Sequence, residues 1–412
     1  MTKKKQQTKA TPQSLLMGII GAIVIAIASY FGFDLSTNNT TDTPDTGDNT
    51  SVVQQPPVAS GNVSVIQFSE GFGAQKSFWQ VYFTSPSRSD ALPSESCMGG
   101  IDQPVVDLIN GTQRTLDIAA FEWKNECITQ AVIAAHNRGV VVRMVVDNEH
   151  TVEENEEAEL LDEEAPFMEI IAAGIPYVDD GRSGLMHNKF MIFDSTTVLT
   201  GSMNFTARGT YTNNNNVLVM RSQRAVAAYQ DQFDEMFNDG QFGPRGESPN
   251  NFAFSQDGVS IQILFSPDDP VVDIMIQEIS NAQSEIRFMT FSFTEDLIGQ
   301  ALLAEAANGI DIAGIFETRG SETEYSELTP LFCAGVDVWQ DGNSQTFHHK
   351  VFVIDGTTVL TGSFNISDNA TTSNDENMVI IRDPDLAAQY LAEYDRMLQS
   401  ARAVDAADIT CN

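Results

Sequence analysis

One unit occurs twice in this chain, and that duplication limits the possible folds more than any other feature. Residues 113–147 (QRTLDIAAFEW through AVIAAHNRGVVVRMVVD) match 283–317 (QSEIRFMTFSF through ALLAEAANGIDIAGIFE) at an offset of 170. Gln113 pairs with Gln283, Phe121 with Phe291, Ala131 with Ala301 and Gly139 with Gly309. The match resumes at an offset of 161, with Gly174 on Gly335 and Asp180 on Asp341. The first copy therefore holds an insertion, and the Glu-rich stretch Glu149–Glu164 accommodates it as a solvated loop or helix face. In each copy the pattern predicts a helix (Pro104–Asn110; Pro270–Ser280), a strand (Leu116–Phe121; Ile286–Phe291), a helix (Ile128–Asn137; Leu297–Ala307) and a strand (Val140–Val146; Asp311–Phe316). A strand pair and a closing helix (Arg224–Phe237; Pro384–Ser400) follow. Strands alternating with helices make an α/β fold, a mixed sheet flanked by helices in each copy. The repeats are placed at 64–240 and 256–412, joined by a Gly-, Pro- and Asn-rich segment at 241–255.

The N-terminus bears on location. A basic tail (1–13, with Lys3, Lys4, Lys5 and Lys9) precedes an apolar run at 14–33, long enough for a transmembrane helix whose basic flank stays in the cytoplasm. Ala26-Ile27-Ala28 offers a signal-cleavage alternative, but the run continues through Tyr30, Phe31 and Phe33, as in an uncleaved anchor. Residues 34–63, rich in Thr, Asp, Asn, Pro and Ser, read as a disordered acidic linker. Membrane-anchored or secreted after cleavage, the folded part is expected outside the cytoplasm. Cys97, Cys127, Cys333 and Cys411 suit an oxidising compartment; pairing within each half, Cys97–Cys127 and Cys333–Cys411, is expected among the possible connectivities. There are 57 acidic and 22 basic residues, a formal net charge of -35 that opposes a nucleic-acid surface.

The chemistry-bearing pattern lies late in each copy. The first reads His187-Asn-Lys189-Phe-Met-Ile-Phe-Asp194, then six residues, then Gly201-Ser202-Met-Asn204. The second reads His348-His-Lys350-Val-Phe-Val-Ile-Asp355, then six residues, then Gly362-Ser363-Phe-Asn365. The β-branched and aromatic run predicts that His-x-Lys sits on a strand, so His and Lys share one face and His349 points away. After a turn, Ser and Asn arrive two apart, again on one face. Two copies across a pseudo-twofold axis would enclose a phosphate with two imidazoles, two ammonium groups and two amides. A neutral imidazole can attack phosphorus and a protonated one can supply the leaving alkoxide with a proton. Lys189, Lys350, Asn204 and Asn365 would neutralise the non-bridging oxygens. Ser202 and Ser363 read as phosphate-binding or supporting residues, or as plain turn residues. No carboxylate–histidine cluster has metal-ligand spacing, so neither metal nor cofactor is expected. His136 and His150 are expected on the surface, and Glu122 as a satisfied structural carboxylate.

His-x-Lys-x4-Asp-x6-Gly-Ser-x-Asn, twice in one chain, resembles the HKD signature of the phospholipase D superfamily, over residues from about 80 to 400. The resemblance implies two phospholipase D-like repeats, following the transmembrane helix that the apolar run at 14–33 predicts, with Asp194 and Asp355 supporting the motif away from substrate. Members of that superfamily often carry an acid shortly after Gly-Ser-x-Asn that bonds a catalytic histidine. Here the second copy has Glu376, whereas the first has Asn215. The resemblance therefore implies that Glu376 supports His187 as nucleophile and that Asn215 orients His348 as general acid. A metal-independent phosphatidyl hydrolase acting through a phosphohistidine, functional as a monomer, is the leading expectation. An HKD-type endonuclease is the alternative, and intact motifs in both halves argue against a non-catalytic scaffold.

Overall fold

The computed structural model describes residues 62–86, 99–161, 163–244, 252–407 and 409–411. The basic tail, the apolar run and nearly all of the linker lie outside the described residues. Among the described residues, no helix is long and apolar enough to cross a membrane.

Each repeat is a nine-stranded mixed sheet. In the first, Thr115–Ala120 pairs parallel with Val141–Val146 and antiparallel with Lys189–Phe193. Thr197–Gly201, Asn216–Met220 and Trp79–Thr84 continue the sheet antiparallel. The second repeats this with Glu285–Thr290 between Asp311–Phe316 and Lys350–Ile354, then Thr358–Gly362, Glu376–Arg382 and Val259–Ser266. The parallel pairs need crossover helices, which Glu126–Asn137 and Asp296–Ala307 supply where the sequence predicted Ile128–Asn137 and Leu297–Ala307. Each hairpin turns through left-handed backbone at Asp194-Ser195 and Asp355-Gly356. The strand Phe252–Gln256 begins inside the expected joint: Asp257-Gly258, both at positive φ, form a tight turn that pairs it with Val259–Ser266. The real joint is accordingly shorter than 241–255.

The helices Gln223–Asp239 and Pro384–Leu398 each touch both sheets. One apolar core merges the halves, with Phe83, Leu218 and Tyr229 packed into the same cluster as Ile261, Val379 and Tyr390. The outer face of each sheet has its own core. Polar cross-links register the halves. Tyr229 Oη and Thr200 Oγ1 donate to Asn377 Oδ1 at 3.0 and 2.8 Å, and Tyr390 Oη and Thr361 Oγ1 donate to Asn216 Oδ1, both at 3.1 Å. A buried amide satisfied from both sides fixes one alignment of the sheets. Cys333 is bonded to Cys411, and Cys127 is also in a disulfide; Cys97 lies outside the described residues.

Candidate active site

His187 and His348 do not sit on the strands that the apolar runs form; those strands begin at Lys189 and Lys350. Each histidine instead lies in a short extended segment paired with the opposite repeat. His187 N–H donates to Asp375 O at 3.0 Å, and His348 N–H donates to Asn214 O at 2.9 Å. His and Lys still share one ring, Phe121 or Phe291, and His349 points away, but the strands stop short of the histidines because the histidines' backbone partners belong to the other half of the chain. That exchange sets each imidazole beside the residue following its partner. His187 Nδ1 lies 2.8 Å from Glu376 Oε2, and His348 Nδ1 lies 3.0 Å from Asn215 Oδ1. With Nδ1 engaged, Nε2 is the nitrogen left for chemistry.

The serines hold these partners instead of standing free. Ser363 Oγ donates to the same Glu376 Oε2 at 2.7 Å, and Ser202 Oγ donates to Asn215 Oδ1 at 2.8 Å. In turn the serines accept the N–H groups of Asn377 and Asn216, each at 3.0 Å. The preceding glycine is required by close approach. Gly201 and Gly362 have φ of 146° and 148°, and a Cβ on either would lie 2.3 Å from the carbonyl oxygen of Asn216 or Asn377.

Lys189 and Lys350 are buried, donate to the carbonyls of His187 and His348 at 2.7 and 3.1 Å, and lie 4.7 and 4.9 Å from the ring centroids of Phe121 and Phe291. The same rings pack on the histidines, Phe121 on His187 and Phe291 on His348, at 4.6 and 4.9 Å. Asp194 and Asp355 sit outside the site and accept three backbone N–H groups each, from Gln113 to Thr115 and from Gln283 to Glu285. Those bonds outweigh burial and hold both carboxyls below their usual range.

The two half-sites feel one another electrostatically. Burial, then the charges of Lys189 and Lys350, hold both imidazoles well below their ordinary pKa, in the neutral form. Burial lowers Lys189 to about 7, against the opposing pull of Glu376. Lys350 falls well below its usual range through burial and Lys189. Burial pushes Glu376 up to about 8.

Some groups had not been singled out from the sequence. Asp147 Oδ2 accepts Met186 N–H at 3.1 Å and Glu317 Oε2 accepts Phe347 N–H at 2.5 Å, latching the residue before each histidine. Both carboxylates directly follow equivalent strands, so the repeat alignment held that signal. His150 is buried, not on the surface: it packs on Phe121 at 4.5 Å, and its Nδ1 lies 3.0 Å from Asp147. His136 is half-buried on its helix, and His349 is packed in the core with Nε2 3.0 Å from Glu393. Asn204 donates to Glu122 Oε2 at 2.6 Å. The amide oxygens of Asn204 and Asn365 are buried and meet no hydrogen-bond donor among the described residues. Within those residues no group of His, Cys, Asp and Glu is arranged to hold a metal ion.

Fold and site together define a two-repeat enzyme-like scaffold with a pseudo-symmetric pair of imidazoles. The family model described as cardiolipin synthase, PLD-like domain, matches residues 105–237 and again 275–398, so the chain belongs to the phospholipase D superfamily. It is 33% identical over 132 residues to a protein named mitochondrial cardiolipin hydrolase from Xenopus tropicalis, covering 32% of this chain and 59% of that one. It is 27% identical over 173 residues to a protein named phospholipase D from Rickettsia prowazekii, covering 42% of this chain and 84% of the relative. The solved phosphatidylserine synthase of Haemophilus influenzae shares the fold with a TM-score of 0.57 at 15% identity, over 74% of this chain and 85% of its own.

Proposed function

We propose that this chain is a phosphodiesterase that hydrolyses the head-group diester of membrane phospholipids, with His187 as nucleophile and His348 as general acid. The observation that carries the reading is the crossed pairing, His187 on Glu376 and His348 on Asn215. Neutral His187 attacks phosphorus through Nε2, an N–P bond forms, and the P–O bond to the head group breaks. The imidazole gains positive charge, which favours the ionised form of Glu376 and which Asn215 could not balance. His348, protonated when the anionic substrate enters, passes its proton to the departing alkoxide. Water then attacks phosphorus, His348 takes up its proton, and the P–N bond breaks to release the phosphatidic product and neutral His187. Lys189 and Lys350 hold the non-bridging oxygens. One chain supplies both half-sites, so a monomer suffices.

The names of the relatives and the net charge of -35 favour a lipid over a nucleic-acid substrate. The apolar run at 14–33 would tether the folded part to the outer face of a membrane. The test offers the full-length chain phosphatidylcholine and phosphatidylglycerol in mixed micelles, and single-stranded DNA, with and without EDTA. Head-group release that persists in EDTA supports the proposal. DNA cleavage without lipid turnover selects the endonuclease, and activity abolished by chelation overturns the two-histidine mechanism.

A further inference from the structure

A carboxylate beside a phosphate-binding amide opposes the binding it adjoins, and this site has one in only one half. Glu122 directly follows Phe121, the ring packed on His187. Its Oε2 accepts the side-chain N–H of Asn204, the first copy's motif amide, at 2.6 Å. At the equivalent repeat position the second copy has Ser292, so the duplicated fold does not require an acid there. Glu122 is not sealed in the core; it keeps partial solvent contact, like Asn204 itself. Burial, then Glu154 from the inserted helix, raise its carboxyl above the ordinary range, so its charge grows as pH rises; Lys189 from the motif strand and His150 from the segment after Asp147 also face it and lower it. Lys124, two residues further on, is engaged with Glu154 at 2.5 Å.

We propose that Glu122 is a specificity-determining residue that admits phosphodiesters and expels phosphomonoesters by charge. The inference rests on the reading of Asn204 and Lys189 as phosphate ligands given above. A diester carries one negative charge whatever the pH, whereas a monoester or inorganic phosphate carries nearly two above neutrality. The second charge falls on the non-bridging oxygens, where Lys189 and Asn204 converge and where Glu122 stands next to the amide. The repulsion therefore falls mainly on the phosphomonoester product of the reaction and on free phosphate. Product release is favoured, and inhibition by ambient phosphate is kept weak. A serine, as in the second copy, would leave the pocket equally welcoming to both.

The experiment compares the full-length chain with Glu122→Gln and Glu122→Ser. In each, the inhibition constant of inorganic phosphate is measured against the KM for bis(p-nitrophenyl) phosphate, at about pH 6 and about pH 8. The ratio of phosphate inhibition constant to diester KM is expected to fall roughly tenfold at the higher pH in both variants, and less at the lower, as one removed unit charge would give at close range. Equal shifts of both constants, or an unchanged ratio, would overturn the proposal and leave Glu122 a positioning residue for Asn204. Should the parent chain hydrolyse no diester at all, the functional reading fails separately. Calorimetric titration with phosphate on the same three proteins then decides the role of Glu122, tighter binding in both variants supporting it and unchanged binding refuting it.

Discussion

Replacing Glu376 by Gln tests the asymmetry between the half-sites most directly. The first copy shows that an amide can occupy this place without disturbing the geometry. Asn215 Oδ1 accepts Ser202 at 2.8 Å and His348 at 3.0 Å, just as Glu376 Oε2 accepts Ser363 at 2.7 Å and His187 at 2.8 Å. E376Q should keep both bonds and lose only the ability to ionise in response to the imidazolium formed on attack. A charge-assisted hydrogen bond contributes about 1.5–3 kcal/mol and a neutral one about 1, so the barrier should rise by about 1–2 kcal/mol. That is roughly a 5- to 30-fold fall in the rate of phosphoenzyme formation. Glu376→Ala strands the Ser363 hydroxyl and the His187 Nδ1 proton in a buried site, and a loss on the order of a thousandfold follows. The assay compares a p-nitrophenyl diester, whose leaving group needs little protonation, with a phosphatidyl lipid, whose alkoxide needs it badly. E376Q should slow both, whereas Asn215→Ala should slow chiefly the lipid. If E376Q left the p-nitrophenyl diester untouched, or if trapped phosphate mapped to His348, the assignment of nucleophile and acid would be reversed.

Three further outcomes follow from the same geometry. Lys350→Met should lower kcat by at least about a hundredfold, since a cation on the transferring group is lost. It should nonetheless raise the melting temperature, because burial and Lys189 disfavour the charged lysine in the folded chain. Gly362→Ala should destabilise the fold by roughly 2–4 kcal/mol in denaturant titration, since the new Cβ would meet the Asn377 carbonyl oxygen at 2.3 Å. The folded chain holds the Glu376 proton up to about pH 8, against an ordinary carboxyl value of 4.5. Its contribution to stability is complete below the lower value and is lost as pH rises through the upper one. Melting curves between those limits should therefore fall with pH in the parent chain and stay flatter in E376Q, and parallel profiles would refute this.

Much of the architecture was legible because it depends on short-range pattern. Apolar runs at strand spacing and the helices after them recur in both copies, so Thr115–Ala120 and Glu285–Thr290 lie within a residue or two of where periodicity placed them. The errors share one cause. His187 and His348 were assigned to strands, and His150 to the surface. In each case the deciding partner is remote in sequence or supplied by the fold: Asp375 O for His187, the Phe121 ring for His150, Glu376 for His187 at a separation of 189 residues. The joint was overextended because the Asp257-Gly258 turn was read as linker chemistry.

Residue type and spacing alone established the duplicated α/β unit, the proposed set of groups facing phosphorus, and two places where the copies differ in charge, Glu376 against Asn215 and Glu122 against Ser292. Those facts follow from residue type and spacing, which tertiary structure cannot alter. Only the tertiary structure decided what each polar atom does: that the serines brace the groups behind the histidines, that Glu122 holds the amide of Asn204, and that each histidine hangs from the opposite repeat. The physical reason is that a hydrogen bond forms over about 3 Å whatever the chain distance between its partners. Periodicity sees a few residues along the chain, whereas the histidine bonds that cross between the repeats join residues 189 and 133 apart.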